Sequence, residues 1–186
     1  MKVKFSISPF APICWAGAAV MMTPERYACF AAALAVHEAA HLAAMKARGV
    51  GVTAVRVCPA GLEITRGDGG SSYAADAAVS LSGPAASVVT GGACIAAGGL
   101  FRVYGIFSLI LGVLNALPIY GLDGGYALRS ILLGRISAER AERASRAVSL
   151  AATFVMWVFS VWIMLVTDGS FTLFALSCAL FAAQAF

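Results

Sequence analysis

The sequence predicts an all-α polytopic membrane protein with about six transmembrane helices and a small membrane-associated β-hairpin between the second and third. Hydrophobic residues make up 61% of the 186 residues and charged residues only 12%, whereas soluble domains are about 45–50% apolar and about 25% charged. Several apolar runs approach the roughly 20 residues that cross a bilayer. This composition excludes a disordered chain, an ordinary cytosolic enzyme and a nucleic-acid-binding domain, so no nucleic-acid partner is expected.

Six apolar runs are candidate spans. The first is short and is interrupted by Pro9 and Pro12, and the third and fourth are barely separated. Lys2 and Lys4 before the first run also resemble the start of a signal peptide, but the prolines break the run early and no clear cleavage site follows. The six predicted spans are residues 7–22, 27–45, 73–97, 103–117, 147–167 and 171–186.

Between the second and third spans the pattern changes to alternating β-branched and polar residues. Residues 52–57 and 62–65 flank the turn residues Pro59, Ala60 and Gly61, which predicts a short β-hairpin. Residues 66–72 are rich in glycine and serine and are predicted to form a flexible loop. Residues 129–146 carry five Arg and two Glu and are predicted to form a surface helix between the fourth and fifth spans.

The distribution of positive charge predicts the orientation in the membrane. If the N-terminus is cytoplasmic, 11 of the 13 Lys and Arg residues lie on the cytoplasmic side of the six predicted spans, and only Arg26 and Arg102 lie outside. The positive-inside rule therefore predicts that both termini are cytoplasmic.

The second span contains an HExxH pattern, His37-Glu38-Ala39-Ala40-His41. Residues four apart share one face of a helix, so the two imidazoles can bind one Zn²⁺. Glu38 lies about 100° round the helix, where it can act as general base. The chain has only two histidines, and a chance match has a probability on the order of 3 in 10,000. A carboxylate inside an apolar helix costs about 3 kcal/mol, so a metal site is favoured over two core histidines.

The third ligand must come from another residue type, because the chain has no third histidine and a catalytic zinc takes three protein ligands. Asp123 follows the fourth span, after Pro118 and before a glycine pair that allows close backbone approach. In the predicted orientation, Asp123 and the HExxH pair lie at a similar depth on the cytoplasmic side. Asp76 is the alternative ligand, and the remaining carboxylates are at surface ends, in the hairpin or in its loop: Glu25, Glu63, Asp68, Glu139, Glu142 and Asp168.

With these motifs the chain resembles the site-2 protease family of intramembrane zinc metalloproteases, and within it the sporulation-factor type found in bacteria. The HExxH at residues 37–41, the LDG motif at residues 122–124, and Asn115 and Pro118 before that motif carry the resemblance. It extends over roughly residues 5–133, about two-thirds of the chain.

The resemblance implies a single transmembrane metalloprotease domain over residues 1–186, with a catalytic core at about 5–133 and two further spans within 147–186. It implies one Zn²⁺ per chain bound by His37, His41 and Asp123, with Glu38 as the catalytic base. Asn115 is expected to be catalytic as well, by hydrogen-bonding the oxyanion or the substrate backbone; the alternative is a polar contact between helices.

The implied reaction is hydrolysis of a peptide bond in or near the transmembrane segment of a membrane-tethered substrate. A cytosolic fragment, such as one from a transcription-factor precursor, would be released. The implied location is the bacterial cytoplasmic membrane, where the lipid bilayer and a regulatory membrane partner are expected to contact the protein. The hairpin edge near Val55 to Ile64 is expected to bind an extended substrate by strand addition.

Two positions depart from the family pattern. Gly121 stands where a second proline is common before LDG, and Ser87 stands where Asn often follows the Gly83-Pro84 pair. Neither is expected to touch a proposed ligand. Two other functions stay open, a catalytically inactive membrane scaffold of the same fold and a metal or proton transporter. The ligand types also admit a divalent ion other than zinc.

Overall fold

The computed structural model describes residues 4–9, 11–58, 61–66, 72–167 and 171–185. The chain divides into two compact units, Met1–Leu114 and Asn115–Phe186. The elements in chain order are β1 (Lys4–Ile7), α1 (Ala11–Met21), α2 (Pro24–Ala47), β2 (Val52–Cys58), β3 (Gly61–Arg66), α3 (Tyr73–Ala97), α4 (Gly99–Ala116), α5 (Asp123–Leu133), α6 (Ala138–Thr167) and α7 (Phe171–Ala185).

The fold is mostly helical, as the sequence predicts. Four of the described helices are long and apolar enough to cross a membrane, namely α2, α3, α4 and residues 138–166 of α6. The predicted count of six spans is not confirmed, because α1 has 11 residues and α7 has 15, against about 20 for a span.

The first predicted span, residues 7–22, is not one continuous helix, so this prediction is wrong. Ile7 ends strand β1, and the N–H of Ser8 extends the pairing by donating to the carbonyl of Val57 at 2.8 Å. Helix α1 then covers only about 16 Å. A short apolar run before a proline fits a strand as well as a helix, so periodicity alone could not separate the two.

The sheet has three strands in the order β1-β2-β3. Strands β2 and β3 are antiparallel, with Val55 opposite Ile64, which confirms the predicted hairpin. Its turn residues 59–60 and the predicted flexible loop at 67–71 lie outside the described residues. Strand β1 pairs with β2 in parallel, with Phe5 opposite Val55. Strand β2 therefore has a neighbour on each side, whereas β3, which contains Ile64, is an edge strand of this sheet. Addition of a substrate strand at the hairpin edge stays a prediction, with β3 rather than β2 as the strand that could pair with it.

Within the first unit, the C-terminal end of α2 is joined to the sheet and to α3 by a small apolar core. Met45, Val50 and Val79 are buried at its centre, and Val52 and Ile64 of the sheet pack against them. This core places the last turns of α2, which carry the HExxH motif, beside the first turns of α3.

Helices α3 and α4 pack closely through glycines. A Cβ at Gly91 would lie 2.9 Å from the carbonyl oxygen of Gly105, and a Cβ at Gly112 would lie 2.9 Å from that of Pro84. Small residues at such a seam allow helix backbones to approach in a membrane. Ser108 of α4 also donates a 3.0 Å hydrogen bond to the carbonyl of Ser87. Helix α3 is thus held tightly against α4.

The second unit contains α5, α6 and α7. The predicted surface helix at residues 129–146 is wrong, because α5 ends at Leu133 and α6 begins at Ala138 and continues into the apolar span. An ion pair between Arg129 and Glu142, 2.9 Å long, joins the two helices across this break.

Candidate metal centre

His37 and His41 lie one turn apart on one face of α2. The helix begins after Thr23, whose side chain accepts a hydrogen bond from the N–H of Arg26, and runs unbroken over Pro24–Ala47. The two Nε2 atoms lie 3.2 Å apart. Only 3% of His37, 8% of His41 and 9% of the adjacent Glu38 is exposed. The apolar helix thus carries two imidazoles and a carboxylate out of contact with solvent.

The other ring nitrogen of each histidine has its own partner on α3. The Nδ1 of His41 donates to the carbonyl of Val79 at 2.8 Å, and the Nδ1 of His37 lies 3.0 Å from the Oγ of Ser87. Because a carbonyl only accepts, His41 carries its proton on Nδ1 and turns the lone pair of Nε2 toward His37. Such outer partners fix the ring orientation of metal-binding histidines.

The spacing of the two Nε2 atoms suits a tetrahedral metal. Two Zn–N bonds of 2.0–2.1 Å at a tetrahedral angle place their nitrogens about 3.3–3.4 Å apart, close to the 3.2 Å between His37 and His41. Imidazole nitrogen is also a donor that zinc prefers. The histidine pair therefore fits the zinc ion that the sequence predicts.

Gly83 of α3 makes room for this pair. A Cβ at this position would overlap the Nε2 of His41 and would lie 2.8 Å from the Nε2 of His37. Glycine is therefore required here for space, with the helix backbone of α3 forming one wall of the site. The sequence contained a signal for this position, the Gly83-Pro84 pair, but did not indicate its contact with both ligands.

The expectation that Ser87 does not touch a proposed ligand is wrong. Its hydroxyl bonds the Nδ1 of His37, and the residue is fully buried. Ser87 lies four residues after Gly83, so both face α2 from the same side of α3. Position 87, recognised only as a departure from the family pattern, is a partner of the first ligand.

Asp123 begins helix α5. The N–H groups of Gly125 and Tyr126 donate to the carbonyl of Leu122 at 3.0 and 3.2 Å, which starts the helix at that point. A carboxylate in the first turn is favoured by the helix dipole. Cβ atoms at the two following glycines would overlap the backbone carbonyls of Ala116 and Ile119. The pair thus allows α5 to lie against the preceding segment, as predicted.

Gly121, two residues before Asp123, has φ of +91°. Proline fixes φ near −65°, so the turn before LDG has a backbone here that a proline could not adopt. The departure from the family pattern is therefore accommodated by a different turn.

Two of the three predicted ligands, His37 and His41, are brought together within the first unit. Asp123, the predicted third ligand, is the first residue of α5 in the second unit, and its role as a ligand stays a prediction. Asp76, the alternative ligand, lies in the first turn of α3. Asn115 lies in the last turn of α4 and is half-buried. Asp68 and Asp168 lie outside the described residues.

Comparison with known proteins agrees with this picture. Residues 76–158 match the family model described as Peptidase family M50; this segment contains Asn115 and Asp123 and begins after the HExxH motif. The chain is similar to the solved structure of the Site-2 Protease from Methanocaldococcus jannaschii, with a TM-score of 0.69 and 16% identity over 100% of this chain and 92% of that chain. No curated protein sequence matches the chain.

The fold and the sequence of residues 76–158 are similar to those of integral membrane metallopeptidases. Within that class, the family match and the shared fold confirm the resemblance to the site-2 proteases of peptidase family M50. The sporulation-factor subtype stays a prediction.

Proposed function

We propose that this protein is an intramembrane zinc endopeptidase that cleaves a membrane-tethered protein substrate in or near its transmembrane segment. The observation that carries the proposal is the buried pair His37 and His41, with facing Nε2 atoms 3.2 Å apart, next to the buried carboxylate of Glu38 on the same helix. The family match over residues 76–158, which include Asp123, supports it.

His37, His41 and Asp123 would hold one Zn²⁺ per chain. When bound, zinc polarises the scissile carbonyl and acidifies the attacking water toward a pKa of about 7. Glu38 takes the proton from that water as its oxygen bonds to the carbonyl carbon. When the C–N bond breaks, Glu38 delivers the proton to the leaving amine nitrogen. Asn115 is proposed to donate a hydrogen bond to the developing oxyanion.

The proposed location is the bacterial cytoplasmic membrane, with both termini and the released fragment in the cytoplasm. This orientation requires α1 and α7 to cross the membrane together with the four longer helices. Lys46 and Arg48 lie at the C-terminal end of α2, just beyond the HExxH motif, and the first turns of α6 carry Arg140, Arg143 and Arg146. Positive charge at span ends favours the cytoplasmic side. A membrane-held transcription-factor precursor is the proposed substrate type, and a membrane protein is the proposed regulator.

Cleavage of a model membrane-tethered substrate by the purified protein tests the proposal. We expect wild type to cleave, a chelator to abolish cleavage, and Glu38→Gln to bind metal without cleaving. Glu25→Gln is the matched control, because Glu25 lies on the same helix but in its exposed first turn.

Each outcome separates the proposed function from one rival. Cleavage by Glu38→Gln at the wild-type rate would refute the mechanism. Metal binding without cleavage of any substrate would favour an inactive scaffold. Metal or proton flux across vesicles without cleavage would favour a transporter. Substrates tagged at both ends show on which side of a vesicle the fragment is released.

A further inference from the structure

A cavity of about 550 Å³ lies in the first unit beside α2. Its helical wall is one continuous stripe of α2, formed by Ala31, Leu34, Ala35, Glu38, Ala39 and Leu42. These positions recur at the i, i+3, i+4 and i+7 spacing of a single helix face. The cavity volume falls within the range of about 300–1,000 Å³ that is usual for ligand sites.

The remaining walls come from the sheet and from α1. Ile7 of β1, Val57 of β2 and Trp15 of α1 are among the residues that form them. The indole N–H of Trp15 donates to the carbonyl of Cys58 at 3.3 Å, which fixes α1 against the end of β2. The cavity is therefore bounded by elements that are hydrogen-bonded to one another.

Glu38 is the one charged residue among the described residues that line the cavity. It is buried, as is Leu34, whereas Ile7 and Leu42 have 57% and 40% of their surface exposed. The closed part of the cavity thus contains the carboxylate, and its exposed lining residues are aliphatic. The two histidines point to α3, while the stripe that includes Glu38 faces the cavity.

The place of Glu38 limits what can occupy this space. A general base must lie within about 2.6–3.2 Å of the water it deprotonates, and that water attacks the scissile carbonyl. Consecutive Cα atoms are 3.8 Å apart. The two substrate residues that the scissile bond joins therefore lie within about one side-chain length of the Glu38 carboxylate when it deprotonates the water. A cavity that begins at this carboxylate is therefore within reach of a side chain that flanks the cut.

We propose that the cavity is a specificity pocket for a large apolar side chain, such as that of leucine or phenylalanine, on a substrate residue directly flanking the scissile bond. The inference rests on the proposed peptidase function. Contact with the apolar lining stabilises the bound substrate side chain. The position of the cavity next to Glu38 determines which substrate residue enters it. An acidic side chain at that position would lose its hydration and would meet the carboxylate of Glu38.

The first test uses a panel of membrane-tethered substrates with the cleavage point located by mass spectrometry. The residues on each side of the cut are replaced in turn by Leu, Phe, Ala and Asp. At one of the two positions we expect kcat/KM to fall roughly tenfold or more from Leu to Ala, and further with Asp. Equal rates for all four residues at both positions would overturn the inference alone. No cleavage of any substrate by metal-loaded wild type would overturn the peptidase function and the inference with it.

The second test changes the volume of the cavity. Ala31→Phe places a ring in the cavity two turns from Glu38, and we expect the Leu-to-Ala ratio of kcat/KM to fall toward one. Ala32→Phe is the matched control, because Ala32 is exposed on the same helix and does not line the cavity. An unchanged ratio in Ala31→Phe with a folded, metal-bound protein would overturn the inference.

A binding measurement gives an answer that does not depend on turnover. Trp15 lines the cavity, so its fluorescence reports occupancy when Trp157 and Trp162 are replaced by Phe. With Glu38→Gln to prevent cleavage, we expect a Leu-containing substrate to shift the Trp15 emission and the Asp-containing one to leave it unchanged. Equal shifts with both substrates would show that the cavity does not select the flanking residue. A bound lipid that no substrate displaces would identify the cavity as a lipid site. Either result would overturn the inference.

Discussion

Ser149 on α6 accepts a hydrogen bond of 2.7 Å from the backbone N–H of Tyr120, three residues before Asp123. The hydroxyl of Ser149 in turn donates to the Oε1 of Gln184 on α7 at 2.8 Å, and the Nε2 of Gln184 donates to Thr153 at 2.6 Å. A chain of hydrogen bonds thus connects α7 with the turn that leads to the proposed ligand, so we expect that turn to depend on both α6 and α7.

Ser149→Ala is expected to weaken zinc binding roughly tenfold, because partners that orient a ligand usually contribute 10–100-fold to metal affinity. Competition with a chelator of known affinity measures the change. Ser160→Ala is the matched control, since Ser160 lies on the same helix and contacts Ser177 of α7 at 3.2 Å instead of the turn. Equal losses in the two variants would show that Ser149 acts only on the packing of α6 and α7.

Gly83→Ala is expected to abolish metal binding and to lower the free energy of unfolding by about 1–3 kcal/mol, the usual cost of an overpacked interior. The added Cβ would occupy the space of both histidine Nε2 atoms. Metal content and thermal unfolding in detergent measure the two effects. Gly92→Ala on the same helix has nothing within 4 Å of its new Cβ and should bind metal normally. Stoichiometric metal in Gly83→Ala would contradict the described site.

Ser87→Ala is expected to lower zinc affinity roughly tenfold by removing the partner of His37 Nδ1. Ser87→Asn introduces a longer polar side chain at this buried position, and recovery of affinity there would show that the hydrogen bond to His37 is what matters. Thr90→Val serves as the control. Thr90 lies on α3 like Ser87, but its hydroxyl is hydrogen-bonded to the hydroxyls of Ser108 and Tyr104 on α4 instead of to a histidine. Unchanged affinity in Ser87→Ala would assign Ser87 to helix packing alone.

Removal of the metal is expected to lower the thermal midpoint of the folded protein. A ligand present at about 1,000 times its dissociation constant stabilises the state that binds it by about 4.1 kcal/mol. Thermal unfolding in detergent with and without chelator measures the shift. His41→Ala should already unfold at the lower temperature and respond little to the chelator. A wild-type thermal midpoint that is the same with and without chelator would show that the site binds no metal in the folded protein.

The sequence could predict the features that depend on local spacing. The HExxH pattern specified which two residues share a face of α2, and the helix from Pro24 to Ala47 has that geometry. The hairpin followed from alternation around turn residues. Strand β1 was missed because Lys4–Ile7 has no local partner; its pairing depends on residues 54–57.

Local sequence patterns also could not predict contacts between residues that are far apart along the chain. Nothing near Ser149 or Gln184 in the chain indicates that they hydrogen-bond, since 35 residues separate them. The sequence identifies Gly83 and Ser87 as motif positions, but their contact with the histidines depends on how α3 packs against α2. The count of six spans is not confirmed, because hydropathy alone does not distinguish a short apolar helix such as α1 from a full span.

The parallel pairing of β1 with β2 has a consequence for biogenesis. Lys4 pairs with Ala54, so 50 residues of chain must be synthesised before the first strand can meet its partner. At a translation rate of about 5–20 residues per second, this takes roughly 2.5–10 s. During that interval Phe5 and Ile7, which are largely exposed even in the folded protein, have no sheet to join. The backbone hydrogen-bonding groups of β1 therefore have no partner strand during that time, and we expect the nascent strand to stay at the insertion machinery or the lipid surface until β2 emerges.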